Sequence, residues 1–426
     1  MQCLQCMLMM EQKAIQTKKT TLKVAFLTNK YRRTKSHTYR SSCNTGANKL
    51  EEFLKLEKNI TLEQAQITLI ENKNLDPLVV LDEYLTFLRT YTRKNGKSFS
   101  NGAIRTYMIL AKELLRFMGC KIYDEDFRQK IKLPPKEEVE EELLTKEIIN
   151  QVLRNSHPKL QTVTLMLCSS AMRIGELIQL KLSDFDFSTN PVTVNLRKSV
   201  VKGKIQPRKT QLTTEATKAL KDYLTRKGLD YSNPKHQEKF LFLQTHEERL
   251  ANYERILENE KLYPQYRDGI IKDKIPKLQA QLKNLTEEER YNLSVDATKN
   301  SLETLLERTV DAIPELSKKN ENDRRNIHFH AFRYFFKTQV TDSFNGDFAE
   351  ALMGHKSVRL RYYKQNDKKR LEHYRKVEPA LTISDFAKVE KNIEQVTENY
   401  QDLKEQFKHL QEQFNILLAQ TRPQKA

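Results

Sequence analysis

The chain has 426 residues, of which 31% are charged and 38% hydrophobic, and Lys+Arg outnumber Asp+Glu by 74 to 56 for a net charge of +18. Such a surplus favours polyanions through counterion release, which makes nucleic acid the expected partner. The chain has no apolar run of about 18 residues and no basic leader ahead of "MQCLQCMLMM", so neither a membrane helix nor a signal peptide is expected. Five scattered cysteines (Cys3, Cys6, Cys43, Cys120 and Cys168) exclude a disulfide framework, and "CLQC" at 3–6 lacks a second ligand pair. A cytoplasmic, DNA-associated protein without metal or cofactor is the expectation.

Taken in chain order, residues 1–50 are basic, rich in Ser and Thr and weakly periodic, and read as a disordered arm. A helical domain over 51–131 follows. Asp76 and Pro77 are an N-cap and first-turn pair opening "PLVVLDEYLTFLRTY". The next helix starts at Ser100, lines Ile104, Tyr107, Met108, Ala111, Leu114, Leu115 and Met118 along one face, and stops at Gly119. "KLPPKEEVEEELL" at 132–144, with two prolines and no core face, is a linker. Thr145 caps the first helix of a larger domain over 145–385.

Within that domain "PVTVNLRKSVVKGKIQPRKTQLT" at 191–213 reads as strands around a Lys/Gly turn, and 246–323 as a charged helical segment broken at "YPQY". The tail, 386–426, places Phe386, Val389, Ile393, Val396, Tyr400, Leu403, Phe407, Leu410, Phe414 and Leu417 at alternating spacings of three and four. That is a heptad seam, suited to a coiled coil or a partner helix. The fold class is thus mainly α with a small β-hairpin or sheet.

His-x-x-Arg occurs three times, at His37, His246 and His330, and only the third, in "HFHAFRYFF", sits in an apolar helix. There the spacing puts His330 and Arg333 on one helix face, while His328 reads as structural. Arg173 is the first charge in the apolar stretch "TLMLCSSAMRIGELIQL", with Glu176 as its local partner. In "ALMGHKS", Gly354 turns the chain and presents His355, and Tyr362 and Tyr363 follow. Buried guanidinium and imidazole groups need partners, supplied either by the core or by an anionic ligand.

Together these boxes resemble the tyrosine recombinase (phage integrase) family over most of residues 55–385. "AMRIGEL" is similar to its first arginine box, "HAFR" to its His-x-x-Arg box and "LMGHKS" to its Leu-Gly-His box, while "EPALTI" at 378–383 is similar to what archaeal members carry. The resemblance implies a two-domain clamp on double-stranded DNA. Residues 51–131 become the core-binding (SAM-like) domain and 145–385 the catalytic one, with an insertion at about 246–323. It also implies a site-specific recombinase or integrase that needs neither metal nor ATP and forms a 3′-phosphotyrosyl intermediate. Arg173 and Arg333 would grip the phosphate and His355 would donate to it. His330 would bond it or assist proton transfer, and Lys202, or alternatively Lys204, would protonate the leaving oxygen. The family's usual nucleophile position holds Lys364 here, so Tyr363 is the expected nucleophile, with Tyr362 and Tyr374 as alternatives. The tail would join protomers in a tetrameric synapse. A catalytically inactive DNA-binding scaffold on the same fold and a type IB topoisomerase remain as alternatives.

Overall fold

The computed structural model describes residues 21–33, 37–70, 76–93, 96–135, 143–201, 206–258, 270–283, 285–319, 325–355 and 366–384, and seven residues between 400 and 411. Lys202, Lys204, Tyr362 and Tyr363, the "YPQY" break, Cys3 and Cys6, and most of the linker and tail lie outside these. The chain divides into two compact units, Met1–Glu140 and Glu141–Ala426. Among the described residues no helix is long and apolar enough to cross a membrane.

The first unit holds α1 (Leu22–Arg33), α2 (His37–Glu57), α3 (Leu62–Ile70), α4 (Pro77–Thr90), α5 (Asn101–Met118) and α6 (Asp124–Lys130). Asp76 caps α4 through the Leu78 N–H and Ser100 caps α5, which ends on Gly119 at φ 107°. The face read for α5 is buried apart from the half-buried Tyr107, with Leu110 added to it. Where the sequence reads as an arm, residues 22–33 and 37–50 are helical. Phe26, Cys43, Ala47 and Leu50 are buried in the core of this unit. Their helical spacing is diluted by basic and hydroxyl residues, which hides it from a composition-based reading. Gly46 shows how close the packing is, since a Cβ there would come 2.7 Å from Leu110 Cδ1.

The second unit opens with α7 (Lys146–Arg154), capped by Thr145 as expected, then α8 (Pro158–Ser170) and the short α9 (Ile174–Leu177). A three-stranded antiparallel sheet follows in the order β1 (Phe185–Asp186), β2 (Thr193–Leu196) and β3 (Arg208–Gln211). Its register pairs Leu196 with Arg208. Next come α10 (Thr214–Arg226), α11 (His246–Glu258), α12 (Ile270–Lys283), α13 (Glu287–Asp311), α14 (Phe329–Ser343), α15 (Gly346–Met353) and α16 (Asp367–Leu381).

Helix α8 is the spine. Ten of its thirteen residues are buried, and α10, α14 and α16 pack around it. Helix α16 is pinned both to this spine and to α10. Its Tyr374 hydroxyl donates to the Ser169 carbonyl at 2.6 Å, and its Glu378 carboxylate accepts from Thr214 N and Oγ1 at 2.7 Å. A carboxylate at the N-terminus of α10 is favoured by the orphan N–H groups and the dipole there. In the described part of the tail, Tyr400, Leu403 and Phe407 are 66%, 64% and 68% exposed, so the rest of the chain does not bury them.

Candidate active site

Arg173, Arg333 and His355 come from three separate elements of the second unit, and the fold brings them together. Helix α8 ends at Ala171, a non-glycine residue held at φ 53°. This left-handed turn is unfavourable for an L-residue by about 1–2 kcal/mol and survives because its surroundings impose it. Its carbonyl accepts from Arg333 Nη1. Two residues on, Arg173 begins α9, its N–H donating to Glu176 Oε2 at 2.9 Å and its Nη1 to Oε1 at 3.1 Å.

Glu176 is 2% exposed and also binds Arg208 Nη2 from β3. Burial raises its pKa, but the guanidiniums of Arg208, Arg173 and Arg333 prevail and hold the carboxyl below its usual range. Arg208 closes the circuit by donating from Nη1 to the Leu352 carbonyl at 2.5 Å. Its stem crosses over Gly354, where a Cβ would lie 2.6 Å from Arg208 Cδ. Gly354, at φ 70°, is therefore a glycine for two reasons, the left-handed end of α15 and the passing arginine.

Arg333 is 1% exposed, whereas the side chains of Arg173 and His355 are 30% and 37% exposed. Arg333 Nη2 donates to the Met353 carbonyl at 2.7 Å and lies 3.1 Å from His355 Nε2. Burial, together with the positive charges of Arg173 and Arg208, pushes its pKa down to about 9. Its Nε and that of Arg208 are buried with no hydrogen-bond partner. Arg173 and Arg208 thus bind the carboxylate of Glu176, and the charge of Arg333 also acts on it. Most of the polar load of "HFHAFRYFF" is met locally: main-chain carbonyls hold both terminal nitrogens of Arg333. His328 caps α14 by accepting from Ala331 N at 3.0 Å.

His330 is the i,i+3 neighbour of Arg333 but has the opposite burial, being exposed with its ring edge-on to Tyr334 at 4.7 Å. Tyr374 is removed from the list of nucleophiles. It is 0% exposed, its hydroxyl is committed to Ser169, and burial pushes its pKa well above that of a free phenol. Two residues at the site were not singled out from sequence. Arg208 sits in a run of lysines and arginines, where a basic hairpin turn and a buried ion-pair partner look alike. Glu350 on α15 is one acidic residue among many; it binds His355 Nδ1 through Oε2 and Lys337 Nζ through Oε1 at 2.6 Å. Five residues separate it from His355, and only the left-handed turn at Gly354 brings the two together.

Among known proteins, the Phage integrase family matches residues 142–262, which include Arg173, Glu176 and Arg208. A comparison with curated proteins gave no match. Three solved structures are similar over most of the chain. The XerH site-specific recombinase bound to difH substrate, in its pre-cleavage complex, is 19% identical (TM-score 0.43), covering 82% of this chain and 92% of that one. The Tn1549 transposon integrase in complex with circular intermediate DNA is 15% identical (TM-score 0.39; 78% and 99% covered). The XerA recombinase is 16% identical (TM-score 0.31; 83% and 97% covered). At such distances the likeness assigns no residue roles. The family match thus falls within the second unit, on the segment that holds Arg173, Glu176 and Arg208.

Proposed function

We propose that the second unit binds one phosphodiester of duplex DNA over Arg173 and His355, with Arg333 beneath, and cleaves it with Tyr363. The phenolic oxygen forms the new P–O bond and the 5′ oxygen leaves, so the 3′ phosphate ends as a tyrosyl ester. That ester conserves the bond energy, and a 5′ hydroxyl from another strand reverses the step without ATP. Planar guanidinium forks suit the non-bridging oxygens because they stay charged and hydrogen-bond in two directions. Lys202, which lies in sequence between β2 and β3, delivers the proton that the leaving oxygen needs. His330, exposed at the start of α14, takes part in moving the phenolic proton.

The observation that carries this reading is the surplus of positive charge at the site. Three guanidiniums face one buried carboxylate, and two buried Nε–H groups have no acceptor. An anion bound over the part-exposed Arg173 and His355 answers the charge surplus. The first unit, helical throughout its described elements, acts as the second arm of the DNA clamp. The 386–426 tail joins protomers through the heptad seam, of which Tyr400, Leu403 and Phe407 are exposed. The qualifier drawn from "EPALTI", an archaeal-type integrase, belongs to this proposal as well.

The test uses a nicked duplex library with a randomised centre, from which the protein captures its own target. The wild type is expected to give an SDS-resistant adduct that Tyr363→Phe loses while keeping salt-sensitive binding. Binding without any adduct from the wild type would instead establish the inactive scaffold.

A further inference from the structure

His355 is tethered twice to one residue. Its main-chain N–H donates to the Glu350 carbonyl at 3.1 Å, closing the end of α15. Its ring Nδ1 meets the Glu350 carboxylate, whose other oxygen is held by Lys337 at 2.6 Å. A carboxylate only accepts hydrogen bonds, so Nδ1 must carry the proton. The neutral ring then offers only a lone pair at Nε2, the nitrogen 3.1 Å from Arg333 Nη2. In that state His355 accepts from the guanidinium and cannot donate to a phosphate oxygen. It becomes a donor only as an imidazolium.

The charged groups around the ring set the balance. Arg333 and Lys337 from α14, Arg208 from β3 and Arg173 from the start of α9 all oppose a further positive charge. Glu350 from α15 favours it from direct contact, and Glu176 is already shared by Arg173 and Arg208. A bound phosphodiester would add the negative charge that tips the ring into its protonated form.

We infer that Glu350 is a positioning residue that fixes His355 as the Nδ1–H tautomer, so that a proton taken from solvent onto Nε2 when DNA binds becomes the ring's hydrogen bond to the phosphate. This rests on the recombinase reading for its purpose but not for its measurement.

Full-length protein labelled with 15N-histidine reports the tautomer directly, with the His355 signal identified by its loss in His355→Asn. The wild type is expected to show Nδ1–H in the neutral ring. Glu350→Gln should switch the neutral ring to Nε2–H. It should also slow adduct formation about tenfold to a hundredfold, the usual effect of losing a group that orients a histidine. Glu350→Asp, which keeps the charge but shortens its reach, should follow Gln rather than the wild type. An Nε2–H ring in the wild type, or a Glu350→Gln protein with unchanged tautomer and adduct rate, overturns the inference. A wild type that shows the Nδ1–H tautomer but forms no adduct refutes the recombinase reading and leaves the tether in place.

Discussion

Arg333 and Tyr374 are both large polar side chains in the core, and the difference between them separates chemistry from architecture. The Tyr374 hydroxyl has the one partner it needs, so Tyr374→Phe should leave adduct formation intact and lower stability by about 1 kcal/mol in denaturant unfolding. Loss of the adduct in that variant would return Tyr374 to candidacy. Arg333 bridges Ala171, Met353 and His355 with one planar group, which an ammonium cannot reproduce. Arg333→Lys is therefore expected to slow cleavage by about a hundredfold or more, read as adduct formation on the captured duplex. His246 supplies a pH test away from the site. It is 5% exposed, with Nδ1 2.7 Å from Ser294 Oγ, and burial and then Arg249 push its pKa below the usual value. A base depressed on folding binds its proton more readily in the unfolded chain. Stability should therefore fall as pH drops below about 6.5, and His246→Asn should remove that part of the decline in thermal unfolding. At this scale the sequence identified residues by the incongruity of charge in apolar surroundings, which located Arg173 and Arg333. It could not identify Arg208 or Glu350, whose roles depend on which strand and turn come to lie beside them.

Elements with capping residues and uninterrupted periodicity were legible from sequence: α4 behind Asp76, α5 between Ser100 and Gly119, α7 behind Thr145. Each signal is local, and local chemistry fixes a helix end. Helices α1 and α2 were not legible, because their buried positions are spread among lysines, serines and threonines and acquire meaning only against α5. Gly354 shows an element boundary with consequences at the site. Gly354→Ala forces both a positive φ and a contact with Arg208, and is expected to destabilise the protein by about 1–3 kcal/mol. It should also weaken cleavage more than Gly228→Ala, which shares the positive φ but has open space around it. Equal effects of the two substitutions would show that Arg208 does not depend on the glycine.

At the scale of the whole molecule, the basic surplus and the boxes pointed to DNA and to a recombinase domain, and the family match over 142–262 agrees with the second of these. The assembly was legible only as a heptad pattern. Deleting 386–426 is expected to reduce self-association in sedimentation while sparing cleavage of a single strand; unchanged sedimentation would assign the exposed Tyr400, Leu403 and Phe407 some other role. The central claim is that Arg173, Arg333 and His355 gather one phosphoryl group within reach of a phenol from the 356–365 segment. Mass spectrometry of the peptide left on captured DNA after proteolysis tests this most directly. The account predicts a phosphate ester on Tyr363. Ester on a tyrosine elsewhere in the chain, or capture that persists when both Tyr362 and Tyr363 are phenylalanine, would contradict it.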